Sequence, residues 1–210
     1  MRKNVSLLIL SLLVNVASAQ WSVGGKFGTN LSKAVNCPNI GGVSSKEIFD
    51  IQSRVGMNIG GVVNYQINDK FDLQGELLYS FYNYKDKDFG FFEGNGSLKE
   101  TGLKTHRHFL DVPLLVQFYP VGHDLGFNVE AGVQPGFFLS ESNKAGNETI
   151  TTLNDSNPVN FGLIIGSSYK SSKNWFVDFR YVFGITDSYK NLEGMNMQSA
   201  QLSIGYLFHL

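Results

Sequence analysis

The sequence predicts an all-β fold, an eight-stranded antiparallel up-and-down transmembrane β-barrel, and three observations carry that prediction. Hydrophobic residues recur with a period of two in segments of roughly ten residues, the length a tilted strand needs to cross a bilayer. The connections between segments alternate between long and short, as in barrels with extended loops at one end and tight turns at the other. The apolar faces also carry more large side chains than an eight-stranded barrel can hold inside, so those faces must point outward.

Composition fits this class. The 210 residues suit one domain, with 17% charged residues, 13% aromatics, and 23 glycines against 5 prolines. Lys and Arg number 17 against 18 Asp and Glu; without Arg2 and Lys3 the balance is 15 minus 18, or -3. No nucleic-acid partner is expected, because such binding leans on clustered positive charge. The single cysteine, Cys37, excludes an internal disulfide framework and a cysteine zinc site, and no cofactor is expected.

Residues 1–19 read as a secretory signal: Arg2 and Lys3, an apolar stretch from Val5 to Val16, then Ala17-Ser18-Ala19 as the cleavage site. Cleavage after Ala19 leaves residues 20–210 as the barrel domain. Asn15 and Ser18 interrupt the apolar stretch too early for a spanning helix.

The strands follow in order. Segment 21–31 sets Phe27 against Gly24, Lys26 and Gly28, and 54–66 sets Met57 against Asn58 and Gly60. The clearest is 71–84, with Phe71, Leu73, Leu77, Tyr79 and Phe81 on one face and Asp72, Gln74, Glu76 and Ser80 on the other. Segment 105–119 turns Leu114 outward and Asp111 and Gln117 inward, and 125–140 turns Phe127 outward and Glu130 and Gln134 inward. Pro113 and Pro135 fall within these two; neither can donate to a closed ladder, so a bulge or a missing bond is expected at each. Segment 159–169 opposes Leu163 to Gly162 and Gly166, and 175–187 opposes Trp175, Phe179 and Tyr181 to Asp178 and Arg180. The last, 198–209, sends Leu202, Ile204, Tyr206 and Phe208 outward. Long connections cover 32–53, 85–104, 141–158 and 188–197. Short ones at 67–70, 120–124 and 170–174 carry the Asn, Asp, Gly, Pro and Ser of tight turns.

By parity, Lys26, Asp72, Glu76, Arg107, Asp111, Glu130, Asp178 and Arg180 share a polar network in a narrow hydrated lumen otherwise lined by small and polar groups. Outward rings gather at the strand ends as two aromatic belts at the membrane interfaces. Tyr65, Phe71, Phe118, Phe127, Tyr169, Trp175 and Phe208 fall at the turn end, and Phe81, Phe137, Phe161 and Phe183 at the loop end.

Several stretches together resemble the PorT-like outer-membrane β-barrel family: Gly25-Lys26-Phe27-Gly28-Thr29-Asn30, Glu76-Leu77-Leu78-Tyr79-Ser80, Glu130-Ala131-Gly132, Gly205-Tyr206-Leu207-Phe208 and, most specifically, Phe109-Leu110-Asp111-Val112-Pro113-Leu114-Leu115. The resemblance spans essentially the whole mature chain. It implies a Gram-negative outer-membrane location and a role in supporting a protein-secretion assembly or surface export. The partners expected are outer-membrane lipid and a secretion-system or cell-surface protein.

Two other readings are open to the sequence. His106 and His108 share a face on the strand leaving the second long loop and, with Ser80, Ser140 and Glu141, would supply an outer-leaflet lipid-modifying enzyme or hold a metal. A soluble lipocalin-type barrel has the same period of two with the apolar face turned inward. The Asn-x-Ser/Thr triplets at Asn95 and Asn147 mark exposed loops.

Overall fold

The computed structural model describes residues 20–35, 51–86, 90–92, 98–100, 103–145, 148–150, 156–187 and 196–210. The leader, Cys37, Asn95 and Asn147 lie outside these residues.

The first strand, β1 (Trp21–Val35), pairs antiparallel with β2 (Val55–Gln66) on one side and with the last strand, β9 (Asn196–His209), on the other. That pairing closes the sheet. Between them run β3 (Phe71–Asp86), β4 (Leu103–Asp111), β5 (Leu114–Phe118), β6 (Phe127–Ala145), β7 (Val159–Lys170) and β8 (Trp175–Gly184). Each pairs with its sequence neighbour, and β4 and β5 lie end to end between β3 and β6. The ring is thus eight strands around and antiparallel throughout.

Several strands run further toward the loop end than their sequence pattern suggests. β1 reaches Val35, and β6 reaches Ala145 and pairs there with a short piece, Glu148–Ile150. β8 stops at Gly184 rather than at 187, and a short 3-10 turn, His123–Leu125, delays β6 to Phe127.

The two prolines do not each make a bulge. The ladder breaks at Val112 and Pro113, between β4 and β5, while β6 continues through Pro135 with Pro135 opposite Phe161. The Val112 N–H donates to the Pro135 carbonyl at 2.8 Å. A strand residue points its N–H and C=O to the same neighbour, so the donor that Pro135 lacks faces the same break. Two prolines share one defect. The bulge lies elsewhere, between His108 and Phe109, where two residues of β6 oppose one of β4.

The faces are sorted by exposure. Leu114 is 52% exposed and Gln117, three residues on, is 4% exposed; Phe27, Ile59, Leu77, Phe179 and Ile204 are exposed like Leu114. The apolar face is therefore the outer one, which removes the lipocalin-type alternative. All eleven belt rings are at least partly exposed, and many touch: Phe71 with Phe118 at 5.1 Å and Tyr169 with Trp175 at 5.9 Å at the turn end, Tyr181 with Phe183 at 4.6 Å at the loop end.

Candidate functional site

Chemistry-bearing side chains converge in the lumen, where the structure sorts the eight charged residues named from sequence into three layers. The middle layer is an ion cluster. Lys26 Nζ lies 3.2 Å from Glu76 Oε2 and 3.0 Å from Asp178 Oδ2. Arg180 reaches Glu76 at 2.8 Å and Asp178 at 3.2 Å, and its Nε donates to Glu130. These five side chains are at most 1% exposed. Three neutral amides extend the cluster: Gln74 donates to Glu76 at 2.6 Å, Gln117 to Glu130 at 3.1 Å, and Asn64 to Gln117 at 3.1 Å.

The sequence makes room for these long side chains by placing glycine beside them. Lys26 pairs with Gly60 on one side and Gly205 on the other. Gly166 stands between Glu130 and Arg180, and a Cβ there would lie 3.0 Å from Arg180 Cγ. Small residues flanking large ones is how a narrow barrel fills its interior. A buried cation among carboxylates is tolerated only with complete pairing, so each member holds the others in place.

The turn-end layer is built on Asp72. His123, from the turn before β6, sets its Nε2 2.9 Å from Asp72 Oδ1 and stacks on Tyr119 at 4.0 Å between ring centroids. Burial, and behind it the Asp72 charge, pushes the Tyr119 phenol well above its ordinary value, so it stays a neutral hydroxyl. Tyr119 shares the inward parity of Gln117, whereas His123 stands in a turn that alternation does not read.

The loop-end layer is different in kind. Tyr82, Tyr84 and Phe109 are buried together, with Phe138 and Met197 packed on them. The Tyr82 hydroxyl donates to Asp111 Oδ2 at 2.6 Å. Arg107 pairs with Glu141 at 3.1 Å, its guanidinium 5.1 Å from the Phe109 ring centre and 5.4 Å from that of Phe138. A cavity of about 60 Å³ remains here, lined by Tyr82, Tyr84, Phe109, Gln134 and Met197 among others. The expectation of a lumen lined only by small and polar groups is thus corrected. Two more apolar clusters, Val62 with Phe176 and Leu207, and Leu115 with Ile164 and Val182, also lie inside.

Residues 16–190 match the family model described as outer membrane protein beta-barrel domain. The chain belongs to that family. Among solved structures, Neisserial surface protein A is 15% identical with a TM-score of 0.49, covering 90% of this chain and 97% of that one. Ail, the attachment invasion locus protein of Yersinia pestis, is 14% identical at a TM-score of 0.46, covering 90% and 99%. OprG of Pseudomonas aeruginosa is 15% identical at 0.46, covering 91% and 97%. Among curated proteins none matches this chain. The family match makes the protein an outer-membrane β-barrel.

The family's barrel geometry separates the residues of the alternative catalytic set. His106 and His108 are on the outer face, where His108 Nδ1 lies 2.6 Å from the Tyr79 hydroxyl and His106 stacks on Phe81. Ser140 is outside as well, opposite His108. Ser80 is inside, 1% exposed, and Glu141 is inside on Arg107. The acid and the histidines stand on opposite faces of the wall. Among the described residues no group of three His, Cys, Asp or Glu is placed to hold a metal.

Proposed function

We propose that this barrel is a non-enzymatic membrane anchor that presents its long connections at the cell surface and engages a secretion assembly or another surface protein, after export with cleavage following Ala19. One observation carries this reading: the middle of the lumen is occupied by Lys26, Glu76, Glu130, Asp178 and Arg180, all paired and shielded from solvent. A plugged barrel offers no path for a solute, so the segments free to act are those beyond the strands. The separation of His106 and His108 from Glu141 by the barrel wall supports a non-enzymatic role. The resemblance of the block from Phe109 to Leu115 to PorT-like proteins supports the secretion role among surface roles.

The test uses cells that make the full chain. A photoreactive residue replacing Asn95, in the connection between β3 and β4, should give an adduct with a component of an outer-membrane secretion assembly. Deleting the gene should deplete surface-exported proteins from the medium. Unchanged export together with no adduct would overturn this reading.

A further inference from the structure

The register of the barrel aligns several cationic positions in one sector of its loop end. The register of β3, β4 and β6 sets Lys85 opposite Lys104, and Lys104 opposite Lys144. The same alignment puts Asn83, His106 and Ser142 in the row below, and Phe81, His108 and Ser140 in the row below that. Lys104 and Lys144 are exposed, as is Arg54 at the head of β2, and the charges of all three reach His106.

Like charges directly opposite one another destabilise a sheet. Adjacent strands lie about 4.8 Å apart, so three aligned lysine positions fall within roughly 10 Å. Among the described residues no carboxylate forms an ion pair with Arg54, Lys104 or Lys144. Glu141, on the same strand as Lys144, is turned into the lumen. On β1, the Lys33 position pairs with Gln198 of β9 on the side away from β2.

Beneath the cations two shielded polar atoms, Asn83 Oδ1 and His106 Nδ1, have no hydrogen-bond partner. An occupant that satisfies this sector therefore brings negative charge at the lysine row. The next layer down is fixed and aromatic: Phe81 packs on His106 at 5.4 Å and on His108 at 5.1 Å, and Tyr79 and Phe137 follow with Leu110 between them. Aromatic rings of this kind mark the border between headgroups and acyl chains.

We propose that this sector binds the phosphate of an outer-leaflet lipid, held by Arg54, Lys104 and Lys144 at the lysine row, with the lipid's acyl chains laid along Tyr79, Phe81, Leu110 and Phe137. Anion chemistry suits clustered Lys and Arg. The continuity of the cations with an apolar, membrane-facing strip selects a lipid over a free anion. The assignment to the outer leaflet rests on the long connections being at the cell surface.

The full mature chain is refolded into phosphatidylcholine nanodiscs, with and without lipid A, a phosphorylated glucosamine lipid. Binding in discs does not depend on orientation in cells, so failure here is distinct from failure of the surface reading. Lipid A should raise the thermal midpoint of the wild type by several degrees and should co-purify with it after detergent extraction. The K104Q/K144Q variant should lose at least half of that rise, yet be as stable as wild type or more so in phosphatidylcholine alone. Lys173→Gln, in the exposed turn between β7 and β8 at the opposite end of the barrel, should keep the full rise. Raised salt should shrink the rise in the wild type, a readout that needs no variant. An equal rise in wild type and double variant, or the same rise from inorganic phosphate without lipid A, would overturn the proposal.

Discussion

The middle and the loop-end halves of the lumen are built by the same parity and yet hold together in different ways. In the middle, Lys26, Glu76, Glu130, Asp178 and Arg180 join β1, β3, β6 and β8 through ion pairs, with amides bonded to their remaining lone pairs. At the loop end Tyr82, Tyr84 and Phe109 pack as a small core that leaves a cavity of about 60 Å³. A charge cluster must be complete to be tolerated in a buried site, so it seals the barrel. An aromatic core tolerates a void, at the cost of lost contacts.

That contrast sets the order of the effects expected from mutation, each read as a shift in the urea unfolding midpoint in lipid. Arg180→Met should have the largest effect, about 3–5 kcal/mol of destabilisation, because Glu76, Glu130 and Asp178 would be left with Lys26 alone. Phe109→Ala should cost about 3 kcal/mol, the low end for a buried ring, since it enlarges a cavity already there. An equal or larger loss from Phe109→Ala than from Arg180→Met would break the comparison. Met197→Ala should cost about 1 kcal/mol, because that side chain is only half-buried against the cluster. A loss as large as that of Phe109→Ala would show that the loop-end packing is tighter than its cavity implies.

The fold was largely legible because a period of two has only two settings. Once the number of large apolar residues forced Phe27, Leu114 and Phe179 outward, Lys26, Glu130 and Arg180 had to face inward. The pattern stopped short of Glu141, which it left in the connection 141–158 although β6 runs on to Ala145. Continued alternation would have put it outside, but the bulge between His108 and Phe109 slips β6 by one residue and turns Glu141 and Asn143 inward. No sequence signal marks that bulge, and the prolines that drew attention stand elsewhere. The aromatic layer escaped for another reason. Tyr82, Tyr84 and Phe109 sit inside because glycines make space near them, as Gly136 does beside Asp111, where a Cβ would come within 2.5 Å of Oδ1. That match depends on which strands become neighbours. His123 was missed because a turn has no alternation to read.

Single-channel recording of the refolded mature chain in a planar bilayer tests the sealed lumen most directly. With Lys26, Glu76, Glu130, Asp178 and Arg180 locked across the middle of the barrel, the wild type should insert without producing current steps. Steady ohmic steps from wild-type protein at modest voltage would mean that the ion cluster does not close the lumen, and would contradict the reading of this barrel as an anchor for its surface segments.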